Sequence, residues 1–362
     1  MNSKLIAPWR MNNLRLEGTP FEAAEEVVLR LGAVQSQDYG PAKWSLAQRT
    51  SGVSDAAIER ASAAGTILRT HVLRPTWHFV SGEDIRWIVA LTAPRVHALN
   101  GYMYRQLELD DAVLKKSTAV LVDSLKGGNH PTRKELGSIL ASSGIEAQGF
   151  RLAYIVMNAE LNGILCSGPR KGKQQTYALI DERASQARSL DHDEALAELT
   201  LRYFTSHGPA TAKDFRGWSS LTATDVKQGL EMAAPKLENE TIDGLTYWFA
   251  GAPPRSEAVS PTVHLLQPYD EYIMGYSESK YLLDTSGAAR SISRDKVVFN
   301  GIVILDTQVA GHWKRTLSKG SVIVEVALYK AFDDAQARAL QTAADRHGEF
   351  LGLPATVVTK VV

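Results

Sequence analysis

The chain of 362 residues carries one cysteine, Cys166. A lone thiol excludes an intrachain disulfide framework and any cysteine-clustered zinc site. Within the apolar run Ile164-Leu165-Cys166 it reads as an inert core residue, and a reducing cytoplasm fits. No excess of either charge exists, since 40 Lys and Arg balance 40 Asp and Glu. That balance argues against a protein that coats polyanions nonspecifically. A local basic groove remains open, because steering depends on how charge is distributed. No run of about 18 apolar residues occurs, so no transmembrane helix is expected. The first ten residues lack the apolar centre of a signal peptide. Also absent are a phosphate-cradling glycine loop, histidines at metal-ligand spacing and a serine-centred nucleophile elbow. Neither a cofactor nor a metal is expected.

What is present is an ordinary globular composition, 44% hydrophobic and 22% charged, in a chain long enough for two to four small domains. A unit recurs along it: helices, then a β-hairpin. The clearest copy runs over 112–188. A helix at 114–125 stops at Gly127-Gly128, and Pro131-Thr132-Arg133-Lys134-Glu135 opens a second. A third helix, 149–161, stops at Asn162-Gly163. Two strands follow, 164–167 and 175–180, joined by the basic tip Gly168-Pro169-Arg170-Lys171-Gly172-Lys173. Three short helices and a hairpin describe a winged helix, whose third helix enters a groove and whose wing touches phosphates. Residues 112–183 hold ten Lys or Arg against six Asp or Glu, so this unit is locally basic.

Another copy, 189–252, places helices at 196–206, 212–218 and 222–232, then a hairpin across Asp243-Gly244. The first, 1–108, is looser, with strands expected at 70–74 and 76–80 around Pro75. Beyond Gly251-Ala252-Pro253-Pro254-Arg255-Ser256, read as a linker, strands are expected at 262–266, 297–305, 308–314 and 321–329, and a helix at 334–351. The expected fold is therefore α+β. Winged helices occupy 1–108, 109–188 and 189–252, and an antiparallel β-rich domain occupies 253–362.

Phe21, Ala24, Val27, Val28 and Leu31 recur at helical spacing. They predict a helix that closes in Gln35-Ser36-Gln37-Asp38, with both amides turned to one cleft. Amides do not ionise near neutrality and are poor nucleophiles, but each donates and accepts hydrogen bonds. They suit the holding of a water or the reading of a base edge. Asp38 is the nearby carboxylate, either a water activator or a turn cap. His71 and His78 share a strand region with Arg69 and Arg74; His78 lines a site or belongs to the core. Trp44, Trp77 and Trp87 read as core. The adjacent carboxylates of Tyr269-Asp270-Glu271-Tyr272 read as structural.

Taken in order, Val34-Gln35-Ser36-Gln37, Leu68-Arg69-Thr70-His71-Val72-Leu73-Arg74-Pro75-Thr76-Trp77-His78-Phe79, Leu266-Gln267-Pro268-Tyr269-Asp270-Glu271-Tyr272 and Gly311-His312-Trp313-Lys314-Arg315 resemble the AlkZ/YcaQ-like DNA glycosylases over nearly the whole chain. The resemblance implies a C-shaped scaffold of tandem winged helices with a basic concave face for duplex DNA. It also implies catalysis by a pair of residues that match Gln35 and Gln37. Ser36 stands where the family has an apolar residue. The two-glutamine form resembles the branch that unhooks crosslinks made by DNA-alkylating natural products. A cleft β-hairpin is also implied, at the loop 286–294 or the Asp306 turn. On this reading the partner is double-stranded DNA with alkylated purines or crosslinks, without a membrane. On the same reading the chain is expected to act as a monomer in the cytoplasm, at the nucleoid. The DNA contacts expected are Arg69, Arg74, Arg133, Lys134, Arg170, Lys171, Lys173, Lys314 and Arg315. A non-catalytic winged-helix regulator and a diverged binding scaffold are the alternatives.

Overall fold

A computed structural model describes residues 3–253, 260–287 and 301–362. The end of the expected linker, most of the loop 286–294 and the start of the strand at 297–305 lie outside the described residues. The chain divides into two compact units that alternate along the sequence. One comprises Met1–Ile58, Thr200–Trp218 and Ala233–Val362, and the other Glu59–Leu199 and Ser219–Met232.

In the first unit, helix Ile6–Asn13 buries Trp9 and Met11 and carries Arg10 with no exposed surface. That guanidinium is neutralised internally. It donates to Pro209 O at 2.8 Å and Ser279 Oγ at 2.6 Å, stands 3.9 Å from Asp214, and stacks on Tyr276. Helix Ala24–Leu31 buries Ala24, Val27, Val28 and Leu31, the expected stripe. Glu26 accepts from the N–H groups of Glu22 and Ala23 at its start. The helix does not run into the glutamines. Gly32, at φ 79°, ends it, because only glycine takes that conformation without strain. The two-residue strand Val34–Gln35 follows, then helix Tyr39–Ala47.

A five-stranded sheet holds Val263–Leu266 at one edge. Next come Gly301–Leu305, Gln308–Ser318 and Ser321–Leu328, with Ala355–Val361 at the other edge. The last pair is parallel, Val322 opposite Ala355 through Leu328 opposite Val361. The C-terminal sheet is thus mixed, which corrects the antiparallel expectation. Its cause is the helix Asp334–Leu351, whose crossover returns the chain in the direction of the preceding strand, as a parallel pair requires. That helix has the predicted bounds. Asp333 and Gln336 cap it reciprocally, Gly352 at φ 68° closes it, and Leu340, Ala343, Ala344, His347 and Phe350 are buried.

The second unit contains the hairpin Ile67–His71 with Trp77–Ser81, paired from Ile67–Ser81 to His71–Trp77. The strands lie about three residues before and one after their expected positions. Leu73 adopts φ 60°, and tight backbone bonds at Arg74 and Thr76 turn the chain around Pro75. Helix Ile85–Gln106 follows. Helices Asp111–Leu125, Arg133–Ser142 and Gly149–Leu161 and the hairpin Leu165–Lys171 with Gln174–Leu179 then fill the copy read most clearly from sequence. Asp110 accepts from Val113 N and starts the first of these helices earlier than expected. Thr132 and Glu135 form a capping box on the second. Leu121, Leu125, Leu136, Leu140, Ile155, Val156 and Leu165 make the shared core, and Cys166 is buried beside it with its thiol pushed up to about 12 by burial. The remaining copy contains His192–Ser206, Ala212–Ser219, Ala223–Ala233 and the hairpin Glu238–Ile242 with Leu245–Phe249, its residues divided between the two units. Among the described residues no helix is long and apolar enough to cross a membrane, and no three His, Cys, Asp or Glu side chains gather as a metal would need.

Candidate functional site

In the first unit the glutamine motif is gripped by its main chain. The N–H of Gln35 donates to Glu271 Oε1 at 3.1 Å, and its carbonyl accepts from Gln267 Nε2 at 3.3 Å. Glu271 has no exposed surface; its other oxygen accepts from Trp218 Nε1 at 2.7 Å and from His207 Nε2 at 3.3 Å. Burial holds His207 below its ordinary pKa, with Glu271 pulling the other way. Asp270 next to it is equally buried. It receives Arg49 at 2.7 and 2.9 Å, Ser45 Oγ at 2.6 Å and the N–H of Tyr272. Burial pushes its carboxyl up, but Arg49, Ser45 and the Tyr272 N–H outweigh that and hold it below the usual range. Both carboxylates are spent on fixing the strand and its neighbours, as a structural role requires.

The clamp has a consequence for the pair. Gln35 is 3% exposed and Ser36 fully buried, whereas Gln37 and Asp38 are exposed. The two amides therefore differ in access. Asp38 occupies the N-cap position of helix Tyr39–Ala47, but its side chain makes no capping bond. It lines a cavity of about 330 Å³ in the same unit, together with Lys314 and Arg315 from strand Gln308–Ser318. Lys314 is exposed and lies 3.3 Å from Glu325.

In the second unit, His78 is fully buried. It donates from Nδ1 to Thr76 O at 3.0 Å and accepts at Nε2 from Arg74 at 3.1 Å. Burial first, and Arg74 second, hold its pKa well below 6.5, so it is a neutral imidazole with both nitrogens engaged. His71 pairs with buried Glu160 and lies against Trp77. Arg69 is 8% exposed and stacks over Trp77, with its guanidinium carbon 4.4 Å from the ring centroid. It packs in the hairpin and does not stand out from it.

The other cations of that unit differ in how far they are committed. Arg133 donates to Gly149 O at 3.1 Å. Arg170 is taken by Glu59 at 2.6 Å and by the carbonyl of Lys173 at 2.8 Å. Lys171 stands 3.6 Å from Glu135. Lys173 is exposed and, among the described residues, forms no ion pair. Lys134 and Lys171 share a groove of about 670 Å³ with Thr132, Glu135 and Gln174. The Asp306 turn, one place considered for the cleft hairpin, is anchored: its carboxylate accepts from Ser260 Oγ and Thr262 N.

For two residues of consequence, sequence reasoning missed the partner. Glu271 and Gln267 hold the motif's backbone, yet they lie 236 and 232 positions away in sequence. The stretch containing them stands out in the sequence, but nothing local to it names its partner.

A family model described as DNA glycosylase AlkZ-like matches residues 28–350, a span that takes in Gln35, Gln37 and Arg315. An interstrand DNA cross-link repair glycosylase of Streptomyces sahachiroi is 24% identical over 329 residues, which is 85% of this chain and 86% of that protein. The solved structure of the DNA glycosylase AlkZ of S. sahachiroi is similar in fold. It has a TM-score of 0.81 at 20% identity and covers 99% of this chain and 100% of that one.

Proposed function

Because the chain belongs to the AlkZ-like DNA glycosylase family, we propose that it is a monofunctional hydrolase of the N-glycosidic bond of N7-alkylated purines, and that interstrand crosslinks are among its substrates. Gln37 and Gln35 are the catalytic pair. The helix–hairpin segments 1–108, 109–188 and 189–252 serve as winged helices on duplex DNA. Lys134, Lys171 and Lys173 make phosphate contacts, and Arg133 and Arg170 support the elements that present them. Arg69 and Arg74 shape the hairpin that carries His78. The β-rich segment 253–362 supplies Glu271, Gln267 and the Lys314–Arg315 pair.

The chemistry needs no strong acid. A guanine alkylated at N7 carries a positive charge. When the bond from C1′ to the base nitrogen breaks, its electron pair neutralises that charge, and the base leaves without a proton. The sugar becomes oxocarbenium-like, a water oxygen bonds to C1′, and the proton passes to solvent. An amide oxygen can orient that water. Positioning removes orientational entropy, and fixed dipoles stabilise developing charge. Exposed Gln37 is suited to meet water and sugar, while buried Gln35 is suited to set the path of the strand. A crosslinked base cannot enter a tight pocket, unlike the targets of enzymes that flip a base out of the stack, so an open approach to Gln37 fits such substrates.

The observation that carries this reading is the main-chain grip on buried Gln35, two residues from Gln37, whose neutral amide is exposed. The test is single-turnover release of base from duplex DNA containing N7-methylguanine, read as abasic sites. Gln37→Ala is expected to lower the rate by about a hundredfold or more and leave duplex binding within a few fold. Gln35→Ala should act in the same direction but less severely. Undiminished release by the double variant would refute the assignment.

A further inference from the structure

The cavity beside Asp38 lies within the first unit and has no role in the chemistry above. Arg315 reaches it from strand Gln308–Ser318. One guanidinium nitrogen comes within 3.0 Å of where a side-chain carbon on Gly40 would stand. The group therefore rests on the first turn of helix Tyr39–Ala47, the positive end of that helix. Two positive features face each other with little to separate them. Among the described residues no carboxylate forms an ion pair with Arg315, and its one hydrogen-bond neighbour is His347 Nε2 at 3.5 Å.

The remaining walls bring little compensating charge. His347 is 1% exposed, burial followed by Arg315 hold its pKa down to about 3, and its Nδ1 has no hydrogen-bond partner. Trp44 and Trp313 spend their indole N–H groups on the carbonyls of Leu265 and Leu266, at 2.7 and 2.8 Å. Asp38, at the exposed lip, is the one acid lining the cavity. Burial lowers the Arg315 pKa while Asp38 and Asp55 draw it back only in part. An unpaired guanidinium costs free energy where it is partly desolvated. Its planar fork is matched to phosphate oxygens.

We propose that this cavity is an anion site that seats one phosphodiester of the DNA strand next to Gln37, with Arg315 as the positioning residue. The preference for an anion stands on the cavity alone; its identification as a DNA phosphodiester rests on the glycosylase reading. Asp38 at the lip favours a singly charged diester over a dianionic free phosphate, because each further negative charge meets its repulsion. Seating one phosphate three residues from Gln37 would set the register of the strand, so that the sugar to be attacked stops at the amide.

The test uses the full chain and its Arg315→Gln and Arg315→Lys variants. Binding to N7-methylguanine duplexes is measured with a neutral methylphosphonate placed in turn at each phosphate around the lesion. In the wild type one position should weaken binding about tenfold. In Arg315→Gln the same position should cost nothing further, and the slope of log affinity against log salt should fall by roughly one. Arg315→Lys should retain the slope while binding a few fold more weakly. The melting temperature of Arg315→Gln should stay level or rise, since an unpaired charge is removed; a clear fall would mark a structural role and overturn the proposal. So would identical methylphosphonate profiles in wild type and Arg315→Gln. Competition by millimolar inorganic phosphate that depends on Arg315 would reassign the site to free phosphate. Base release is scored separately. An Arg315-dependent position in a protein that releases no base would leave the anion site standing and remove the glycosylase reading; release without such a position would do the reverse.

Discussion

The main chain of Gln35 is held by hydrogen bonds to its peptide groups, so that part of the strand's anchorage survives a change of its side chain. Glu271 is the opposite case. Its two oxygens take the Gln35 N–H, the Trp218 indole and His207, all buried. Glu271→Gln keeps the shape but turns one acceptor into a donor that must face another donor. A buried unsatisfied pair of this kind costs about 1–3 kcal/mol. Urea unfolding should register that loss, with base release falling about tenfold alongside it; an unchanged midpoint would mean that the clamp carries no strain-bearing bond. His78 supports a prediction of a different sort. Its pKa lies well below 6.5 because of burial and Arg74, and amides do not titrate. The rate of base release should therefore be level from about pH 6 to 8. A bell-shaped profile centred in that range would show an ionising acid and base at work.

At the scale of elements, the wing and the glycine contacts give predictions that can be separated. Replacing Arg170, Lys171 and Lys173 with Ala should reduce the salt dependence of duplex binding by roughly one or two units of slope, short of three, because Arg170 already serves Glu59. An unchanged slope would place the wing away from phosphates. Gly301→Ala would bring its new carbon to 2.2 Å from the Trp313 indole nitrogen and 2.6 Å from Leu266 O. Strand and indole cannot both stay, and such overpacking costs about 1–3 kcal/mol, measurable by denaturation. How much of this was legible beforehand depended on how local the signal was. The helix Asp334–Leu351 could be read to the residue from its apolar spacing. The hairpin across Asp243-Gly244 could be read from its turn, whose residues take φ 50° and 80°. Helix Tyr39–Ala47 was not legible: Pro41, Trp44 and Ser45 give it no clear stripe, and it is buried on several sides. The parallel edge strand Ala355–Val361 was missed because its polar and apolar residues pair with a strand chosen by a crossover. The glutamines were found by residue type; the end of their helix at Gly32 was misplaced because the apolar pattern carries on past it in Ala33 and Val34.

For the molecule as a whole, buried neutral histidines tie stability to pH. His78, His207 and His347 all bind protons less readily folded than unfolded. The contribution of each is complete above its unfolded pKa of about 6.5 and is lost as pH falls below it, because the unfolded chain then takes up protons that the folded one refuses. At pH 5 a histidine such as His347, held down to about 3, costs about 2 kcal/mol. Asp270, held low, matters only near or below pH 4. The melting temperature should therefore fall by several degrees between pH 7.5 and 5, and His347→Phe should blunt that fall; a flat profile would mean that these rings are hydrated. The substrate preference tests the whole mechanism: cationic N7-alkylguanine and N3-alkyladenine should be released, and uracil, 8-oxoguanine and 1,N6-ethenoadenine should not. The grip on Gln35 also orders events during synthesis. The carboxylate that receives its N–H is encoded 236 residues downstream. At roughly 5–20 residues per second, the ribosome needs on the order of ten to fifty seconds to travel from one to the other. Through that interval the nascent chain carries both glutamines without the acceptor that fixes their strand, so competence arrives late in translation, when the sheet that brings Glu271 is made.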